Sequence, residues 1–94
     1  MSNFTVRVEL KGYPSEQEYE SLHELMAKQG FTRTIRGITP SGQNATFDLP
    51  HATYYGYAST TTGDLRDYLK AKIRAAIQPN IAIFVAKTET WAIG

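Results

Sequence analysis

The chain has 94 residues, of which 41% are hydrophobic and 20% charged, with a formal net charge of +1 and no cysteine. These values exclude a disulfide framework, thiolate metal sites and a disordered polyelectrolyte. They also leave no global attraction to nucleic acid, so a nucleic-acid surface must come from local segregation of charge. No apolar run approaches the roughly 20 residues that cross a bilayer as a helix. The opening MSNFTVRVEL lacks the basic start and continuous apolar stretch of a signal peptide. One cytoplasmic domain covering 1–94, with no membrane partner, is the expectation.

Phe4, Val6, Val8 and Leu10 alternate with Thr5, Arg7 and Glu9. That period of two predicts a strand with one buried face. Gly12, Tyr13 and Pro14 end it. Ser15 and Glu18 stand in capping-box spacing, and Tyr19, Leu22, Leu25 and Met26 follow as the apolar stripe of a helix that stops at Gly30. A second strand is expected over Phe31 to Arg36. The turn signal Pro40-Ser41-Gly42 and the alternation from Ala45 to Leu49 suggest a hairpin. Thr53 to Tyr57 is a further extended piece, with Gly56 a bulge or a point of close approach.

Thr61 and Asp64 open the next helix. Leu65, Tyr68, Leu69, Ile73, Ala76 and Ile77 form its stripe, and Pro79 stops it. Ile81, Ile83 and Val85 give the last strand its inward face, while Ala82, Phe84 and Ala86 make the other face unusually apolar. The order strand, helix, strand, strand, helix, strand predicts an α+β fold, the ferredoxin-like βαββαβ sandwich. Two helices then cover one face of an antiparallel sheet, and the tail has room for a short extra strand.

The other face is expected to carry Arg7, Glu9, Thr32, Thr34, Arg36, Phe84 and Ala86. That mixture suits a subunit contact or a ligand. The tail holds Trp91 and Ile93, which need a surface to cover, in cis or on a partner. Phe84, Ala86, Trp91 and Ile93 therefore predict a homodimer interface.

Three stretches carry a family resemblance: LHELMAKQGFTRTI (Leu22 to Ile35), FDLPHATYYGY (Phe47 to Tyr57) and VAKTETWAIG (Val85 to Gly94). With the opening strand, the chain resembles the small bacterial proteins grouped with GhoS, a protein antitoxin. That family is similar in fold to the small CRISPR-associated nucleases. The resemblance implies a ferredoxin-like protein that acts as a sequence-selective endoribonuclease on toxin mRNA. The CRISPR-associated relatives carry an aspartate at the end of the first strand. Here the matching region is Glu9-Leu10-Lys11-Gly12, which points away from a metal-dependent route. A metal-independent route needs a base for the 2′-OH, an acid for the leaving oxygen and a cation for the phosphorane. No cofactor and no metal is expected.

Arg33, Arg36 and His51 are the candidate catalytic residues. His51 follows Pro50 in a loop, and His23 reads as a boundary or surface histidine on the first helix. Arg33 shares the alternation phase of Phe31 and Ile35, so it is either a partly buried structural arginine or the mark of a bulge. Arg7, Tyr55, Tyr57, Arg66, Lys70 and Arg74 are the candidate RNA-binding residues. Tyrosines stack on unpaired bases, and a basic helix stripe touches phosphates. Arg7 has an alternative partner in Glu9, and the stripe has alternative partners in Asp64 and Asp67. The competing reading of the whole chain is a non-catalytic dimeric module that binds nucleic acid or protein.

Overall fold

The structure, a computed structural model, describes residues 2–93. The alternating opening segment forms β1 (Ser2–Leu10), with Phe4, Val6, Val8 and Leu10 buried. The predicted capping box closes the start of α1 (Glu16–Lys28): the Glu18 amide donates to Ser15 Oγ at 3.2 Å, and the Ser15 amide donates to Glu18 Oε1 at 3.3 Å. Gly30, at φ 87°, takes the left-handed turn that follows. Then come β2 (Phe31–Thr32), β3 (Thr34–Ile38), β4 (Asn44–Asp48), β5 (Thr53–Ala58), α2 (Thr62–Ala76) and β6 (Ile81–Lys87).

Four strands make the main sheet in the order β2-β5-β1-β6, every neighbour antiparallel. Leu22 and Met26 of α1 join Leu65, Leu69 and Ile73 of α2 in one core with the inward side chains of β1. Both helices thus cover the same face. The chain adopts the expected α+β class, with an antiparallel sheet and two helices. Burying these large apolar side chains stabilises the domain by about 1.5–3 kcal/mol each relative to exposure.

Four expectations are corrected. The second strand is not continuous from Phe31 to Arg36, because it breaks at Arg33. There the Thr32 hydroxyl donates to the Thr34 carbonyl, and the Arg33 carbonyl accepts from Leu49 rather than from the main sheet. Alternation therefore restarts after Arg33. Phe31 and Ile35 are buried while Arg33 is exposed, so the interruption decides its placement and excludes a buried structural role.

The predicted hairpin exists, but as a separate two-stranded sheet, β3-β4, with Ile35 opposite Phe47 and Arg36 opposite Thr46. The segment read only as a further extended piece, β5, is instead an inner strand of the main sheet. It lends Tyr54, fully buried, to the core. β4 has no fully buried residue and could not fill that place. Gly56 sits so close to the Gly30 carbonyl and the Phe31 ring that a Cβ has no room. Close approach, not a bulge, explains that glycine.

The tail forms no strand among the described residues. Instead Trp91 packs edge-on to Phe47, ring centroids 6.2 Å apart. A Cβ on Gly37 would lie 2.7 Å from the Trp91 ring. The surface that Trp91 covers is its own hairpin.

Candidate functional site

Tyr19 and His23 lie one turn apart on α1 and so share a face. Tyr54 reaches up from β5 beneath them, its hydroxyl 2.7 Å from His23 Nδ1. The loop between β4 and β5 brings His51 to the same corner. That loop turns sharply: Ala52 adopts φ 56°, Thr53 donates its amide to the Pro50 carbonyl, and the Ala52 carbonyl accepts from Val8 of β1. A left-handed non-glycine residue costs roughly 1–2 kcal/mol, so the bonds on either side must hold it. The result seats the His51 ring against Tyr19, centroids 4.6 Å apart, while Tyr19 and His23 are 6.4 Å apart. The chain's two histidines thus flank one tyrosine.

The electrostatics follow from burial and from Arg33. Burial, then the nearby Arg33 charge, then His51 hold His23 below its ordinary value of 6.5, with Glu20 opposing. His23 is therefore neutral at pH 7. Burial pushes the Tyr54 phenol up, and Tyr19 adds to this while Arg33 opposes it. Tyr54 stays protonated and can act only as a hydrogen-bonding phenol.

Arg33 and His23 line one shallow groove of about 370 Å³ beside Phe31, Thr32 and Thr34. Arg33 has no carboxylate within ion-pair distance among the described residues. The corner therefore holds a neutral imidazole, a solvent-reachable imidazole, two phenols and a guanidinium, with the exposed Glu24 carboxylate on the same groove. His51 and Arg33 were legible as candidates; Tyr19, His23 and Tyr54 as their neighbours were not. The one local hint was that Tyr19 and His23 stand four residues apart. Among the described residues no group of three or more histidines and carboxylates is placed to hold a metal ion.

The other candidates lie elsewhere. Arg36 is on β3, outside the main sheet, and does not line the groove of His23 and Arg33. It borders a groove with Tyr55 and Tyr57. Arg7 lies opposite Phe84 and Thr53, four residues along β1 from the Asn3 end of that groove, or roughly 13 Å at the usual strand rise. Glu9 pairs with Lys11 at 3.3 Å, not with Arg7. Tyr55 and Tyr57 point to the open face, Tyr57 60% exposed, and burial followed by Tyr57 raises the Tyr55 phenol.

Arg66, Lys70 and Arg74 run along α2, which packs over the β6 edge of the sheet, away from the corner at the β2 edge. Arg66 donates to Asp67 at 2.9 Å, the local pairing of a solvated helix face. Phe84 is 64% exposed on the open face with half-buried Ala86 near it. Trp91 and Ile93 line a cavity with the hairpin and remain 38% and 36% exposed.

No protein-family model matches the chain, and no curated protein matches it.

Proposed function

We propose that the protein acts on RNA as a metal-independent endoribonuclease of the GhoS type, an antitoxin that cleaves toxin mRNA in the cytoplasm. The observation that carries this is the convergence of His23, His51 and Arg33 around Tyr19 and Tyr54. Neutral His23 suits the removal of a 2′-OH proton. His51, exposed to solvent, suits the return of a proton to the leaving oxygen. Arg33 suits the charge that grows on the phosphorane. The strand order β2-β5-β1-β6 with two helices on one face supports a ferredoxin-like βαββαβ sandwich, into which β3-β4 is inserted as an extra hairpin. Arg7, Tyr55 and Tyr57 on the open face are the surface we assign to bound RNA. The helix stripe Arg66, Lys70 and Arg74 is a weaker candidate, since Arg66 is already paired.

Purified protein is incubated with structured and unstructured transcripts, with magnesium and with EDTA. Cleavage that survives EDTA and is lost in His51→Ala and Arg33→Ala supports the reading. Intact transcripts under both conditions remove the enzyme claim. The second reading, a non-catalytic homodimeric module, draws on the exposed Phe84 and Tyr57. A dimeric mass with salt-sensitive RNA shifts and no cleavage favours it.

A further inference from the structure

A second groove, of about 570 Å³, lies on the opposite side of the β2–β3 connection from the histidine corner. Its floor is Tyr55 and Tyr57 of β5, which point away from the helices. Arg36 of β3 stands beside them, and Asn3 lines the end at β1. Thr32 and Thr34 line both this groove and the one that holds His23 and Arg33. Only the thin edge around Arg33 separates the two.

Three features single out an occupant. Its lining includes an arginine and no carboxylate, and Arg36 has no ion-pair partner among the described residues, so the groove complements a negative group. Two phenol rings on one face give a stacking surface for a flat aromatic. Asn3 Oδ1 is buried without a hydrogen-bond partner among the described residues, an unmet acceptor that native folds seldom leave. The torsion that turns an asparagine amide is soft, so this oxygen can swing to a donor placed in the groove. A flat ring with an edge donor and an attached phosphate is a nucleotide, and the volume falls in the range of small-ligand sites.

We propose that this groove is a pocket for one unpaired nucleotide, stacked on Tyr57, its phosphate on Arg36 and its base edge on Asn3. The neighbouring phosphate of the same strand then crosses the Thr32–Thr34 edge toward Arg33 and His23. The pocket so selects the nucleotide next to the bond that is cut. The proposal rests on the RNA-acting reading above and adds its specificity element.

The test uses short 2′-O-methyl oligonucleotides, which lack the attacking hydroxyl and so report binding alone. Wild type, Tyr57→Ala, Tyr57→Phe, Arg36→Ala and Asn3→Ala are compared at low salt, with circular dichroism as the folding control. Tyr57→Ala and Arg36→Ala are expected to weaken binding about tenfold, with Tyr57→Phe close to wild type because the ring is kept. Asn3→Ala is expected to flatten the preference among the four bases. If wild type binds but Tyr57→Ala and Arg36→Ala bind equally well, the pocket is wrong and the RNA reading stands. If wild type binds none of the oligonucleotides, both fall together.

Discussion

The Nδ1 of His23 and the hydroxyl of Tyr54 lie 2.7 Å apart, joining the outer turn of α1 to the buried centre of β5. Tyr54 is fully buried and so fixed by packing; it orients the imidazole from below while Tyr19 borders it from the side, and His51 packs against Tyr19 in turn. That bond is where fold stability and the proposed chemistry meet.

Tyr54→Phe removes the hydroxyl and keeps the ring. The expected loss is about 1 kcal/mol, the net worth of one such hydrogen bond, because half-buried His23 can still reach water. Urea unfolding of the two proteins measures it. The freed imidazole should also rotate; if the proposed ribonuclease reading holds, that lowers cleavage more than RNA affinity.

The same corner makes stability depend on pH. His23 titrates below its ordinary 6.5 in the folded protein because burial, Arg33 and His51 disfavour its charged form. The unfolded chain therefore binds the proton more readily. The contribution is fully present above 6.5 and is lost as pH falls through the lower folded value. The urea midpoint should hold above pH 6.5 and drop as pH falls below it, and drop less in His23→Gln. An equal drop in both proteins would assign it to other groups.

Gly56→Ala tests the close approach of β5 to the turn after α1. The new methyl meets the Gly30 carbonyl, which is backbone and cannot swing aside, as well as the Phe31 ring. Overpacking of this kind costs roughly 1–3 kcal/mol. Gly37→Ala is expected to cost less, since its methyl meets the Trp91 side chain, which can move outward. The fluorescence of Trp91, the single tryptophan, should shift to the red in Gly37→Ala and not in Gly56→Ala.

Charge reversal separates the two basic regions. If the proposed ribonuclease reading holds, Arg33→Glu abolishes cleavage, because it puts a carboxylate where that reading places the growing phosphorane charge. Arg66→Glu should change cleavage no more than about threefold, since Arg66 stands on a solvated helix face with a local partner. Initial rates on one transcript, with folding checked by circular dichroism, decide between them. Equal losses would move the proposed site to the helix.

Local signals were legible in the chain itself. The alternation of β1, the capping box of Ser15 and Glu18, the Thr61 cap and the apolar stripes of both helices all depend on residues within a few positions of one another. They set the α+β class and the buried face of each element. Tertiary structure decided what long-range contacts control. Sheet pairing put β5 beside β1 and left β3-β4 as a separate hairpin. A local bond from Thr32 and a distant one from Leu49 broke the second strand at Arg33, where the period of two by itself leaves a buried arginine and a bulge both open. Trp91 found its cover on residues far back in the chain. The candidate site belongs to this second class. His23 and Tyr54 are 31 residues apart in sequence, and neither neighbourhood names the other. Only packing α1 onto the sheet, with Ala52 holding the β4–β5 loop in a tight turn, brings both histidines and Arg33 to one corner.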